Sequence, residues 1–216
     1  MHFHIITLFP EVCAPYLSTS IMRIAGEKGA FSYTLHQLAD YSDNRTRRVD
    51  DRPYGGGAGT VLSVGPLDRC LSAIQSNYDA PIPIILMAPH GETLRQARLE
   101  TFAKDGRDHI VVCGHYEGFD ERIIALHDIE VVSVGEYVLS GGELPALTMI
   151  DGIVRLLPGV IKAESIHEES YSATLDRRRE YPHYTRPESY RGLSVPEVLL
   201  GGHHKEIERY RRDNLR

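Results

Sequence analysis

Residues 82–134 read IPIILMAPHGETLRQARLETFAKDGRDHIVVCGHYEGFDERIIALHDIEVVSV. Three short apolar runs stand out in this stretch: 82–87 (IPIILM), 109–113 (HIVVC) and 129–134 (IEVVSV). Each is strand-sized and rich in β-branched side chains. Between them, 93–102 (TLRQARLETF) and 120–126 (DERIIAL) carry helical spacing. Strands that alternate with helices predict a mainly parallel sheet with helices on both faces, an α/β fold.

The pattern extends in both directions. On the N-terminal side, 1–8 (MHFHIITL) and 31–38 read as strands, 11–25 as a helix complicated by Pro15, and 67–74 as a helix. Residues 43–61 are polar and then rich in glycine, with no period. On the C-terminal side, 144–157 has helical spacing despite Gly152. From Pro158 the pattern lapses, and 162–182 reads as an exposed linker or mobile loop. Residues 195–200 and 207–215 then suggest a small helical unit, too small to hold a large core alone.

Composition narrows the function classes. Of the 216 residues, 42% are apolar and 25% charged, the mix of a globular protein rather than a disordered chain. No stretch approaches the roughly 18–20 apolar residues of a membrane span. Cys13, Cys70 and Cys113 are odd in number and far apart, which argues against a disulfide framework or a thiolate zinc site. The sequence near Met1 shows none of the features of a secretory leader, so the expectation is a cytoplasmic protein. The net charge of −6 is unevenly spread: Asp176 to Arg216 carries ten basic against seven acidic residues. A basic tail on an acidic body points to a polyanionic partner. Arg45, Arg47 and Arg48 make a second basic knot.

Four segments could carry chemistry. Asp50-Asp51-Arg52-Pro53-Tyr54 runs into Gly55, Gly56, Gly57, Ala58 and Gly59, which allow close backbone approach. No Lys-Ser/Thr follows, so this is not a phosphate-binding P-loop, and no strand precedes it as a dinucleotide fingerprint requires. Gly114 to Arg122 directly follows the 109–113 strand, and Ser133 to Pro145 follows the 129–134 strand. Loops at the carboxyl ends of parallel strands are where such folds bind ligands. With 86–91 they would form one pocket, suited to an aromatic base lying against backbone. Tyr181 to Pro187 interleaves aromatics with His183 and Arg186, as stacking on bases and pairing with phosphates would need. No catalytic-serine elbow or metal-ligand spacing is present. Mg2+ as a further cofactor is not readable from the sequence.

Together, RRVDDRPYGGGAG (47–59), CGHYEGFDERI (113–123), VGEYVLSGGELPALTMIDGIVRLLPG (134–159) and PHYTRP (182–187) resemble one family. It is the bacterial tRNA (guanine-N1)-methyltransferases, which act on guanosine 37 of tRNA and belong to the SPOUT superfamily. The resemblance covers nearly the whole chain. It implies a deep trefoil knot within the sheet, a homodimer with active sites at the subunit interface, and tRNA as partner. It also implies three parts: a knotted catalytic domain over 1–160, a flexible linker over 161–180, and a small helical tRNA-binding domain over 181–216.

By the same resemblance S-adenosyl-L-methionine is the methyl donor. Its walls would be Leu86, Met87, Ala88 and Pro89; Gly114, Tyr116, Glu117 and Gly118; and Val134, Gly135, Glu136, Tyr137, Val138, Leu139, Gly141 and Gly142. Arg155 takes the family's catalytic arginine. Asp50, Gly55, Gly59, Ser170, His183 and Arg186 fall on tRNA-contacting positions. The family's linker motif Glu-Asp-Ser-Phe becomes Glu168-Glu169-Ser170-Tyr171 here, which makes Glu169 the expected general base. The chain stops soon after Arg212, where many relatives continue with further helices; this bears on tRNA binding more than on the chemistry. Two rival readings remain: a tRNA-binding protein without catalysis, and an enzyme that binds nucleoside triphosphates through the glycine-rich loop.

Overall fold

The structure is a computed structural model that describes residues 1–216. It divides into two compact units, Met1–Ile161 and Lys162–Arg216. In chain order the first unit contains β1 (His2–Thr7), α1 (Pro10–Leu17), α2 (Ser20–Glu27), β2 (Ser32–Gln37) and a 3-10 turn (Leu38–Tyr41). Then come β3 (Asp50–Asp51), β4 (Val61–Leu62), α3 (Val64–Gln75), β5 (Ile84–Thr93), α4 (Gln96–Asp105), β6 (His109–Cys113), α5 (Arg122–Leu126), β7 (Ile129–Ser133) and α6 (Glu143–Val154).

Five strands form one sheet in the order β2-β1-β6-β5-β7, and every pairing is parallel. The central strand β6 is buried at all five positions. Alternation along the strands divides the core. Phe3, Ile5, Ile85, Met87, Val111 and Cys113 pack with α1, α2, α4 and α6 on one face. Ile6, Ile84, Leu86, Ile110 and Val112 pack with α3 and α5 on the other. Burial on both faces is why these strands are near-continuous apolar runs rather than alternating ones.

Two local departures from the sequence reading have physical causes. The helix expected over 11–25 is two helices. Ser18 Oγ bonds back to the Ala14 carbonyl at 2.8 Å and Thr19 Oγ1 to that of Pro15 at 2.6 Å, and Ser20 turns the chain with φ of 51°. Such hydroxyls compete with the helix ladder for its carbonyls. The second departure is in β5, which runs past Met87. Val132 pairs with Met87 and again with Glu92, so residues 88–91 bulge out of the ladder. The return of Glu92 and Thr93 to the ladder delays α4 to Gln96. Gly152 sits inside α6 without breaking it, as the helical spacing of 144–157 predicts. A Cβ there would lie 2.6 Å from Leu99 Cδ1, so the glycine lets α4 and α6 approach closely.

The second unit holds α7 (Ala163–His167), a 3-10 turn (Ala173–Leu175), the hairpin β8 (Ser189–Tyr190) and β9 (Leu193–Ser194), a 3-10 turn (Glu197–Leu199) and α8 (His204–Asp213). Residues 162–182, read from sequence as an exposed linker or mobile loop, carry α7 and a 3-10 turn and cluster with this unit. The unit also contains strands, where only helices were expected. No helix of the chain is long and apolar enough to cross a membrane.

Candidate active site

The carboxyl ends of β5, β6 and β7 deliver three loops to one cavity of about 440 Å³. The bulge of β5 supplies Ala88, Pro89 and His90; the β6 loop supplies Gly114 to Phe119; the β7 loop supplies Val134 and Tyr137 to Gly142. Of the expected donor-binding residues, Met87, Ala88, Pro89, Gly114, Tyr116, Glu117, Gly118, Val134, Tyr137, Val138, Leu139, Gly141 and Gly142 line it. Leu86, Gly135 and Glu136 do not. Leu86 is 1% exposed in the core on the α3 side of the sheet.

Glycine is required here by space. A Cβ on Gly142 would lie 2.4 Å from the Gly114 nitrogen, and one on Gly114 would lie 2.6 Å from the Met87 carbonyl oxygen. Gly142 N–H donates to the Gly114 carbonyl at 2.7 Å, which fastens the β7 loop across the end of β6. A Cβ on Gly141 would lie 2.5 Å from Glu143 Oε2 and 2.8 Å from His115 Nδ1. That Nδ1 is buried and has no hydrogen-bond partner. The free, buried Cys13 and Cys113 thiols share a hydrogen bond. That hydrogen bond, and then burial, push the Cys113 thiol well above its usual pKa.

The glycine-rich segment joins this pocket, which the sequence did not disclose. Glu117 N–H donates to the Thr60 carbonyl at 3.0 Å, and Leu62 N–H to that of Gly118 at 2.9 Å. Val61 thereby becomes part of the wall, and a Cβ on Gly59 would lie 2.6 Å from Glu117 Cγ. Asp50 lies in β3, paired with Leu62, while Gly55 is exposed at the turn with φ of 88°. Burial, and then the Asp50 carboxylate, raise the Tyr116 phenol. Further lining residues outside the expected walls are His90, Phe119, Glu121, Val132, Ser133 and Pro145. All of these except Val132 lie within the loops 86–91, 114–122 and 133–145 that the sequence marks as one pocket.

The other expected residues lie elsewhere. Arg155 caps the end of α6, its N–H bonded to the Asp151 carbonyl at 3.1 Å. Pro145, at the start of α6, lines the cavity, so Arg155 is roughly 15 Å farther along the same helix. Glu169, Ser170, His183 and Arg186 belong to the second unit. There Ser170 Oγ accepts from Glu180 N–H, and His183 Nε2 meets Glu180 Oε2, both at 3.1 Å. Arg186 is exposed. No group of three or more His, Cys, Asp or Glu side chains gathers anywhere in the chain as metal ligands would.

A cavity with glycine-lined backbone and apolar walls, at the carboxyl edge of a parallel sheet, defines an α/β enzyme with a site for a small polar-ended molecule. The family model described as tRNA (Guanine-1)-methyltransferase TrmD matches residues 1–216. A tRNA (guanine-N(1)-)-methyltransferase of Clostridioides difficile is 46% identical, over 99% of this chain and 91% of its own. The protein of the same description from Albidiferax ferrireducens is 45% identical, over 99% and 86%. The crystal structure of tRNA (m1G37) methyltransferase from Aquifex aeolicus superposes with a TM-score of 0.79 at 36% identity, covering 97% of this chain and 87% of that one. The chain belongs to the tRNA (guanine-N1)-methyltransferase family.

Proposed function

We propose that the protein transfers a methyl group from S-adenosyl-L-methionine to N1 of guanosine 37 of tRNA. The observation that carries this reading is the convergence of three glycine-bearing loops on one cavity. The cavity fits the donor. Its glycines leave room that a Cβ would fill, Leu139 and Val138 offer apolar wall, and His115 Nδ1 is an unsatisfied polar atom. When bound, the donor would supply a sulfonium-activated methyl group, so no covalent enzyme intermediate is needed.

The rest of the chemistry falls to side chains. N1 of guanine carries a proton and becomes nucleophilic as it leaves. Glu169 accepts that proton in this proposal. Negative charge then develops on O6, where the Arg155 guanidinium stabilises it by a charge-assisted hydrogen bond. Alignment of the reacting atoms supplies much of the remaining acceleration.

Arg155 stands too far along α6 to serve the cavity of its own subunit, which supports a homodimer whose site takes Arg155 from a second copy. Exposed Phe9, Val12, Tyr16 and Leu144 offer apolar surface for such a contact. The trefoil knot belongs to the same proposal. It is supported by the close passages of Gly142 over Gly114 and of Gly91, whose Cβ would lie 2.5 Å from Val131 C. Asp50, Gly55, Gly59, Ser170, His183 and Arg186 are proposed to meet tRNA, as is the basic tail. The setting proposed for this is the cytoplasm. The test is transfer of a labelled methyl group to tRNA carrying guanosine at position 37 and to the same tRNA carrying another base there. Equal labelling of both, or of neither, would overturn the reading.

A further inference from the structure

We infer that Glu168 is a positioning residue, which with Tyr181 and Arg211 clamps the segment bearing the base onto helix α8. The inference rests on the reading of Glu169 as that base. The Tyr181 hydroxyl donates to Glu168 Oε2 at 3.0 Å, and Arg211 Nη1, on α8, reaches the same oxygen at 3.4 Å. The Arg211 guanidinium also lies over the Tyr181 ring, 4.8 Å from its centroid. Tyr181 is only 7% exposed. Burial, and then the bond to Glu168, raise the pKa of its phenol, so the hydroxyl keeps its proton and donates it.

The same segment is tied again on the far side of Glu169. Glu180 N–H donates to Ser170 Oγ at 3.1 Å, and Tyr171 N–H to the Arg178 carbonyl at 2.8 Å. Tyr171 adopts φ of 66°, a left-handed conformation unfavourable for a side chain of its size, which surrounding bonds must hold. Glu169 thus sits between two anchored neighbours. The clamp forms one wall of a cavity of about 470 Å³, lined also by Leu175 and Leu215, so the segment has space to shift once the clamp is cut.

Glu168 is the alternative base, one position from Glu169, and its geometry assigns it a different task. Its Oε2 is shared by two donors, and cycling a proton through the carboxylate would disturb both contacts in every turnover. A carboxylate held this way fixes the chain.

The test uses the full chain with S-adenosyl-L-methionine and tRNA carrying guanosine 37. Four variants are compared: Glu168→Ala, Glu168→Gln, Tyr181→Phe, and Glu168→Ala combined with Tyr181→Phe. Glu168→Ala and Tyr181→Phe should each slow single-turnover transfer by roughly 10- to 100-fold, the cost of about 1 Å of misplacement. The double variant should be no slower than Glu168→Ala, because both changes cut one contact. Donor affinity and the KM for tRNA should stay within about twofold of wild type, because the variants leave the donor cavity and every basic side chain of the tail in place. Glu168→Gln keeps an oxygen for Tyr181 and should retain most of the rate, with the acid limb of the pH–rate profile unchanged.

A Glu168→Gln protein as inactive as Glu168→Ala overturns the clamp, as do multiplying effects in the double variant or an effect on KM alone. If Glu168→Ala does not fold, Tyr181→Phe, which loses one oxygen, decides: a wild-type rate in it overturns the clamp. A wild-type rate in Glu169→Gln overturns the base assignment itself. Collapse in Glu169→Gln with wild-type rates in the clamp variants overturns the clamp alone.

Discussion

Thr7 and Glu143 are 136 positions apart and joined by a 2.7 Å hydrogen bond in the interior of the first unit. The Thr7 hydroxyl donates to Glu143 Oε1 and accepts from Phe9 N–H at 2.9 Å. Thr7 ends β1 and Glu143 begins α6, immediately after the glycine pair of the β7 loop. The bond therefore ties the third wall of the cavity to the first strand of the sheet.

Glu143→Ala should cost about 1–3 kcal/mol of stability, because it leaves the buried Thr7 hydroxyl without an acceptor. It should also weaken binding of S-adenosyl-L-methionine, since the 134–142 loop loses an anchor. Urea unfolding and calorimetry would read the two effects. Unchanged values in both would show that the bond contributes nothing to the loop.

Gly141→Val should abolish or sharply reduce donor binding. The first carbon of the new side chain would fall between Glu143 Oε2 and His115 Nδ1, and the remaining atoms would enter the cavity. Calorimetric binding equal to wild type would remove this wall from the donor site.

Glu169→Gln keeps the shape of the side chain and removes the basic carboxylate. Methyl transfer in a single turnover should fall by roughly 10²- to 10⁴-fold, the usual share of a general base. Donor binding should remain close to wild type. Glutamate in place of the family's aspartate is not an obstacle in acidity, since the two unperturbed values are roughly 4.3 and 3.9.

Acid should destabilise the first unit through His4. Its Nε2 meets the Tyr78 hydroxyl at 2.8 Å, Tyr78 donates to Asp108 at 3.0 Å, and Nδ1 meets His36 Nε2 at 2.9 Å. Because Asp108 can only accept, the chain of bonds runs one way, and His4 Nδ1 must accept from His36. Protonating His4 would set two donors against each other. Desolvation, and then the neighbouring His2 and His36, pull the His4 pKa down from 6.5 to about 4. The unfolded chain takes up the proton more readily, so this contribution is whole above about pH 6.5 and declines as pH falls towards 4. The displacement sets an upper bound of ~3 kcal/mol, which solvent screening at this half-buried site reduces to on the order of 1 kcal/mol. Unfolding midpoints at pH 7.5 and 5 would measure the slope, and His4→Gln should flatten it.

The alternation of apolar runs with helical spacing sufficed for the parallel α/β class, because strands covered on both faces must be apolar at every position, and that is a local property of the chain. HIVVC (109–113) shows it: its limits in the sequence are those of the central strand. The family was likewise legible as motifs.

Other features depended on the packed fold. The partition of His2, His4 and Ile6 from Phe3 and Ile5 onto opposite faces follows the alternation of one strand. The His4–Tyr78–Asp108 chain, however, required partners 74 and 30 positions apart. The link of Thr60 and Leu62 to the Gly114–Gly118 loop, the bond from Thr7 to Glu143, and the clamp of Glu168 by Arg211, 43 positions away, are of the same kind. None leaves a period or spacing in the sequence, because each hydrogen bond is made only after collapse of the sheet and helices has brought distant backbone together. The sequence determined the α/β class and the family; packing alone decided which side chains meet.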